Sequence, residues 1–131
     1  MEIILDASAI IDVIADEPEA QTVINYTKNA TIVSPNRISC EIANALTRMM
    51  KKKIVNSEEQ MINLIKNFKL IPIKLEEIDL EKAMQIAWQN NIYAYDAFYL
   101  EVAKRLRLPL ITFDTVMGKI GKTLGLNILG G

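Results

Sequence analysis

Four acidic residues lie in unusually apolar surroundings: Asp6 in IILDASAII, Glu41 in ISCEIANAL, Asp96 in YAYDAFYL and Asp114 in LITFDTVM. A carboxylate in such a setting is costly to desolvate unless something pairs with it. Most of the 16 acids sit instead in polar clusters such as Asp16-Glu17, Glu58-Glu59 and Glu76-Glu77, which read as solvated faces. Two others have apolar neighbours and are set aside by spacing. Asp12 lies off the stripe Ala7, Ile10, Ile11, Ile14, and Glu101 can pair with Arg105 at i,i+4. If the four converge, two charges about 4 Å apart repel by roughly 4 kcal/mol at an effective dielectric near 20. They could not all stay ionised without a cation; otherwise some would take up protons.

The chain has no histidine. That removes Ser-His-Asp and Cys-His catalysis, histidine general bases, and most zinc or iron sites. Any metal must then take oxygen ligands, which points to magnesium, manganese or calcium. Such an ion can lower the pKa of a bound water and stabilise the oxygens exchanged in phosphodiester cleavage. The lone Cys40 excludes an internal disulfide and reads as a small apolar filler. A formal charge of -1 gives no global attraction for nucleic acid.

Each of the four also has a purely structural reading. Asp6, Asp114 and Asp96 suit the N-caps of the helices around them. Glu41 reads as mid-helix beside an apolar stripe, where Arg37 or Arg48 could pair with it.

The elements that must position these residues alternate between short β-branched runs and helical stretches. EIILD (2–6) reads as a buried strand and 8–15 as a helix. Pro18 fits the first turn of a helix to about Asn29, and TIVS (31–34) is a strand. Residues 37–52 carry a stripe at Ile38, Ile42, Ala45, Leu46 and Met49, which is helical spacing. Ser57 with Gln60 forms a capping box for a helix over 57–68. LIPIKL (70–75) is a strand whose Pro72 suits a sheet edge. Asp79 can cap a helix to about Asn90, and a further helix spans about 96–107. Strand 110–113, helix 115–124 and strand 127–129 follow. This alternation predicts one α/β domain over residues 1–131 with a mostly parallel sheet covered on both faces. Ligands in such sheets bind beyond the carboxyl ends of the strands, where strand order reverses. Asp6 ends the first strand and Asp114 follows the fourth. No apolar run reaches the roughly 18 residues of a membrane span, and the opening residues read as a strand rather than a signal peptide. A cytoplasmic protein is expected.

The stretches LDAS, EIANAL and YDAFYLEVAKRLRLPLITFD, in that order, make the chain resemble a PIN-domain ribonuclease of the small toxin type found in VapBC toxin–antitoxin pairs. The resemblance covers almost the whole chain. It implies a three-layer α/β/α sandwich with strand order 3-2-1-4-5. It also implies that Asp6, Glu41, Asp96 and Asp114 hold magnesium or manganese, with Ser8 and Thr112 in support. The activity implied is a metal-dependent endoribonuclease whose metal-activated water leaves a 5′-phosphate and a 3′-hydroxyl on the RNA. The partners implied are an RNA substrate, a cognate antitoxin that inserts an Arg or Lys among the carboxylates, and a second copy in a homodimer.

Other features carry weaker signals. RMMKKK (48–53) ends a helix, where cations complement the dipole; the alternative is an RNA-backbone contact by Arg48, Lys51 and Lys52, shared with Lys119 and Lys122. Tyr93, Tyr95, Phe98 and Tyr99 read as core, with Tyr95 the candidate for partial exposure. Two rival functions are an aspartyl-phosphate phosphatase, which would want D-x-D where Ser8 stands, and a non-catalytic RNA- or protein-binding module.

Overall fold

The computed structural model describes residues 1–130. Along it run β1 (Glu2–Leu5), α1 (Ala7–Ile14), α2 (Ala20–Thr27), β2 (Thr31–Pro35), α3 (Ile38–Lys51) and α4 (Glu58–Leu70). Then follow β3 (Ile73–Glu76), α5 (Leu80–Asn90), α6 (Ala94–Leu106), β4 (Leu110–Ile111), α7 (Thr115–Thr123) and β5 (Ile128–Leu129). The strands form one sheet in the order β3-β2-β1-β4-β5. Every neighbouring pair is parallel, so the sheet is wholly rather than mostly parallel. Parallel crossovers are right-handed. The leftward steps from β1 to β3 therefore carry α1–α4 over one face, and the rightward steps from β3 to β5 carry α5–α7 over the other.

Central β1 is buried on both faces, which is why it reads as an unbroken apolar run: Ile3, Ile4 and Leu5 are all buried. Each contributes about 2 kcal/mol by leaving water. Helix α6 packs on β1, β2, β4 and α5, and its Ala97, Leu100, Val102 and Ala103 are fully buried. In α7, Gly121 allows β5 to close on the helix, since a Cβ there would stand 2.5 Å from Ile128 Cδ1. No helix among the described residues is long and apolar enough to cross a membrane.

Several boundaries differ from the sequence-based expectation. Helix α4 runs on to Leu70, so the strand expected over 70–75 starts only at Ile73 and Pro72 precedes it. It is nevertheless the edge strand. The capping box is real but its return arm is shifted. Ser57 Oγ accepts from the Gln60 amide, while Gln60 Oε1 accepts from the amide of Asn56. Helix α2 begins at Ala20, two residues beyond Pro18. Helix α6 begins at Ala94, two residues before Asp96, with Tyr93 at its N-cap and no side-chain bond there. Asp96 is therefore not a cap. Cys40 is exposed rather than a filler, and Tyr93 is exposed rather than core.

Glu101 is a buried acid with a structural task. It accepts from Arg105 Nε at 2.8 Å and from the Asp79 amide at 2.6 Å, tying α6 to the start of α5. Glu101→Ala strips both donors of their acceptor. The expected loss is roughly 2 kcal/mol, discounted because Arg105 reaches solvent. It is read as a lower urea midpoint in a protein whose acidic cleft is unchanged.

Candidate active site

The sheet's order reverses between β1 and β4, and Asp6 leaves the end of β1 there. Its backbone amide still donates to Ile111 of β4. The side chain caps α1, with Oδ1 accepting from the Ala9 amide at 2.8 Å. The other oxygen, Oδ2, accepts from Thr112 Oγ1 at 2.7 Å. Thr112 is buried just past β4, and its hydroxyl also accepts from the Asp114 amide at 3.2 Å. Asp114 in turn caps α7, with Oδ1 accepting from the Met117 amide at 2.9 Å. The cap reading therefore holds for Asp6 and Asp114, and the same two carboxylates line a common cleft.

Glu41 lies in the first turn of α3, because that helix starts at Ile38; it is not mid-helix. Neither Arg37 nor Arg48 forms an ion pair with it; Glu41 Oε1 instead accepts from the hydroxyl of Tyr99. Asp96 occupies the first turn of α6. All four carboxylates thus stand at helix N-termini, of α1, α3, α6 and α7. The partial positive charge of these ends favours anions.

The cleft, about 360 Å³, brings together Asp6, Glu41, Asp96 and Asp114, with Ser8 and Tyr99 beside them. Ser8 is exposed and makes no hydrogen bond to Asp6, whereas Thr112 bonds it directly. Among the predicted cations, Arg48 and Lys52 line the cleft, together with apolar Met49 and Ile54. Lys51, Lys119 and Lys122 are exposed but are not part of its lining.

The charges repel. Burial pushes Asp6 up to about 6, against the lowering effect of the Thr112 and Ala9 hydrogen bonds; the charges of Asp96 and Asp12 add to the rise. Glu41 is raised by burial first, then by Asp96 and Asp6, while Tyr99 and Arg48 oppose the shift. Asp96 is raised by burial and by the charge of Asp114. The metal-free native state therefore binds protons more tightly than the unfolded chain, so its stability falls as pH rises. For Asp6 alone the window runs from 3.8 to about 6. The loss across it is roughly 3 kcal/mol. Melting of the chelated protein at pH 4.5 and 7.5 covers about two-thirds of this window, so the melting temperature should be lower at pH 7.5 by roughly 6 °C.

Two residues of the cleft are not among those expected there from sequence. Asp12, set aside by its spacing, is half-buried on the cleft wall, and burial with the charges of Glu17 and Glu19 raises it to about 6. The available signal was its i+4 spacing from Ser8, which puts both on one helical face. Tyr99, read only as core, is core by its ring but meets the site with its hydroxyl. Its i+3 spacing from Asp96 was the signal.

Among the described residues, no three His, Cys, Asp or Glu side chains are grouped so as to hold a metal ion. The donors nevertheless fit a hard dication. They are all oxygens, they are mutually repelled, and magnesium takes one or two carboxylates while keeping several waters.

Comparison with known proteins extends this picture. Ribonuclease VapC12 of Mycobacterium tuberculosis is 24% identical over 127 residues, covering 95% of this chain and 94% of the relative. The crystal structure of PAE2754 from Pyrobaculum aerophilum superposes with a TM-score of 0.72 at 25% identity, covering 98% of this chain and 90% of the other. VapBC2 from Rickettsia felis, solved bound to a DNA fragment from their promoter, shares the fold with a TM-score of 0.64 at 14% identity, over 98% and 97% of the two chains. The family model described as the PIN domain matches residues 3–123, a span that begins inside β1, ends with α7 and holds all four cleft carboxylates. The chain belongs to the PIN-domain family.

Proposed function

We propose that this chain, one PIN domain over residues 1–131, is a magnesium- or manganese-dependent endoribonuclease acting as the toxin of a toxin–antitoxin pair. The observation that carries the reading is the gathering of Asp6, Glu41, Asp96 and Asp114 at four helix N-termini around one cleft. A divalent ion bound there would supply charge to acidify water and to offset charge developing on the phosphodiester. Asp6, Glu41 and Asp96 would hold it, with Asp114 completing the set. The chain's own residues do the remaining work. Thr112 fixes one oxygen of Asp6, and the α1 amide of Ala9 fixes the other. Arg48 and Lys52 on the cleft wall would attract the RNA backbone. Lys51, Lys119 and Lys122 would extend that attraction outside it.

The partner half of the reading is supported by a curated relative named as a VapC ribonuclease and by a VapBC structure that shares the fold. An antitoxin would place an Arg or Lys among the carboxylates, where a guanidinium fork matches them. Homodimerisation and a cytoplasmic setting belong to the same proposal; the exposed Leu80, Met84 and Trp88 on α5 offer an apolar face for the dimer.

End-group analysis of cleaved RNA tests the chemistry: 5′-phosphate and 3′-hydroxyl ends support it, and 2′,3′-cyclic phosphate ends contradict it. No cleavage of any RNA would favour a non-catalytic binding module. Co-expression with the gene beside this one should give a stable complex that cleaves RNA far more slowly than the free chain.

A further inference from the structure

We infer that Tyr99 is a positioning residue of the cleft, its one hydroxyl fixing the Glu41 carboxylate against the start of α1. Tyr99 is 2% exposed, so its hydroxyl must find its partners inside the protein. It finds two. It accepts from the Ala7 amide at 3.0 Å and donates to Glu41 Oε1. An amide can only donate, so this contact directs the phenol proton towards Glu41. Ala7 N is the first amide of α1, which has no partner within its own helix, and it directly follows Asp6. Tyr99 also stands three residues after Asp96, on the same face of α6. A single oxygen thereby links the segments carrying Asp6, Glu41 and Asp96, which lie far apart in sequence. Among the described residues Glu41 Oε2 has no hydrogen bond, so one oxygen is anchored and the other is left for a ligand. Phenylalanine would fill the same volume without any of this.

The catalytic consequence rests on the nuclease reading; the positioning itself does not. Tyr99→Phe is expected to fold and to bind manganese ions about 10- to 100-fold more weakly by calorimetry. Its kcat for RNA should drop by a similar factor, with KM within about twofold. In metal-free protein, Tyr99→Phe and Glu41→Ala should couple by about fivefold in the unfolding constant. In the parent background, Glu41→Ala should shift the Ala7 amide resonance, because Tyr99 links the two; this reading holds even if Tyr99→Phe does not fold. Additive unfolding constants, or an unmoved Ala7 amide, would overturn the proposal. So would unchanged manganese affinity in Tyr99→Phe. If the parent protein cleaves no RNA, the nuclease reading fails, while the double-mutant cycle and the amide shift still decide the role of Tyr99.

Discussion

Asp6→Asn is expected to lower RNA cleavage by about 1,000-fold while making the metal-free protein more stable. The two effects share one cause. Asp6 is 2% exposed, and burial with the charges of Asp96 and Asp12 makes its ionised form costly. Asparagine removes that charge yet keeps an oxygen for the Ala9 amide, so the cap on α1 survives. The Thr112 hydroxyl can turn to accept from the new amide group. At pH 7.5 the chelated variant should therefore melt above the parent, by several degrees, for a gain of roughly 2 kcal/mol. Asp96→Asn should behave alike in activity. Asp114→Asn should lose less, since Asp114 is the most exposed of the four and its cap survives. A variant that loses activity because it unfolds would melt lower, so thermal melting beside the cleavage assay separates a site residue from a structural one. Near-parental cleavage by Asp6→Asn would remove it from the mechanism.

Magnesium or manganese ions should raise the melting temperature of the parent protein by roughly 8 °C at a concentration about 100-fold above the dissociation constant. At that excess, binding to the folded state alone stabilises it by about 2.7 kcal/mol. The gain should depend on pH in the opposite sense to the metal-free stability. Asp6, Glu41 and Asp96 are all raised, so protons compete with the ion as pH falls. The stabilisation should be large at pH 7.5, small at pH 5, and lost in Asp6→Asn at either pH. Melting curves with and without ion at both pH values read this directly. An equal gain in parent and variant would mean that the ion binds elsewhere.

The sequence carried the sheet order through the resemblance, and the parallel alternation through its own periodicity. It carried the cleft carboxylates because an acid among aliphatic residues is a local anomaly, visible without any fold. Element ends were harder to read. The helix around Asp96 is expected from about residue 96, which leaves an N-cap as that acid's structural alternative, but α6 starts at Ala94 without a side-chain cap. There, packing of Ala97, Leu100 and Ala103 sets the helix rather than a terminal signal. Helix α4 outran its expected end because nothing in NFKL stops a helix before Pro72. Tyr93 and Cys40 are ordinary exceptions to the burial habits of their types, which a local pattern cannot foresee. The Tyr99 hydroxyl was out of reach altogether. Its partners lie 58 and 92 residues away, and only the assembled fold brings them within a hydrogen bond.

A metal-dependent nuclease mechanism is tested by RNA cleavage by the purified chain after exhaustive chelation and then after adding back a single ion. On that mechanism, cleavage disappears with the metal and returns with magnesium or manganese. Cleavage undiminished by chelation, or restored by neither ion, would contradict it.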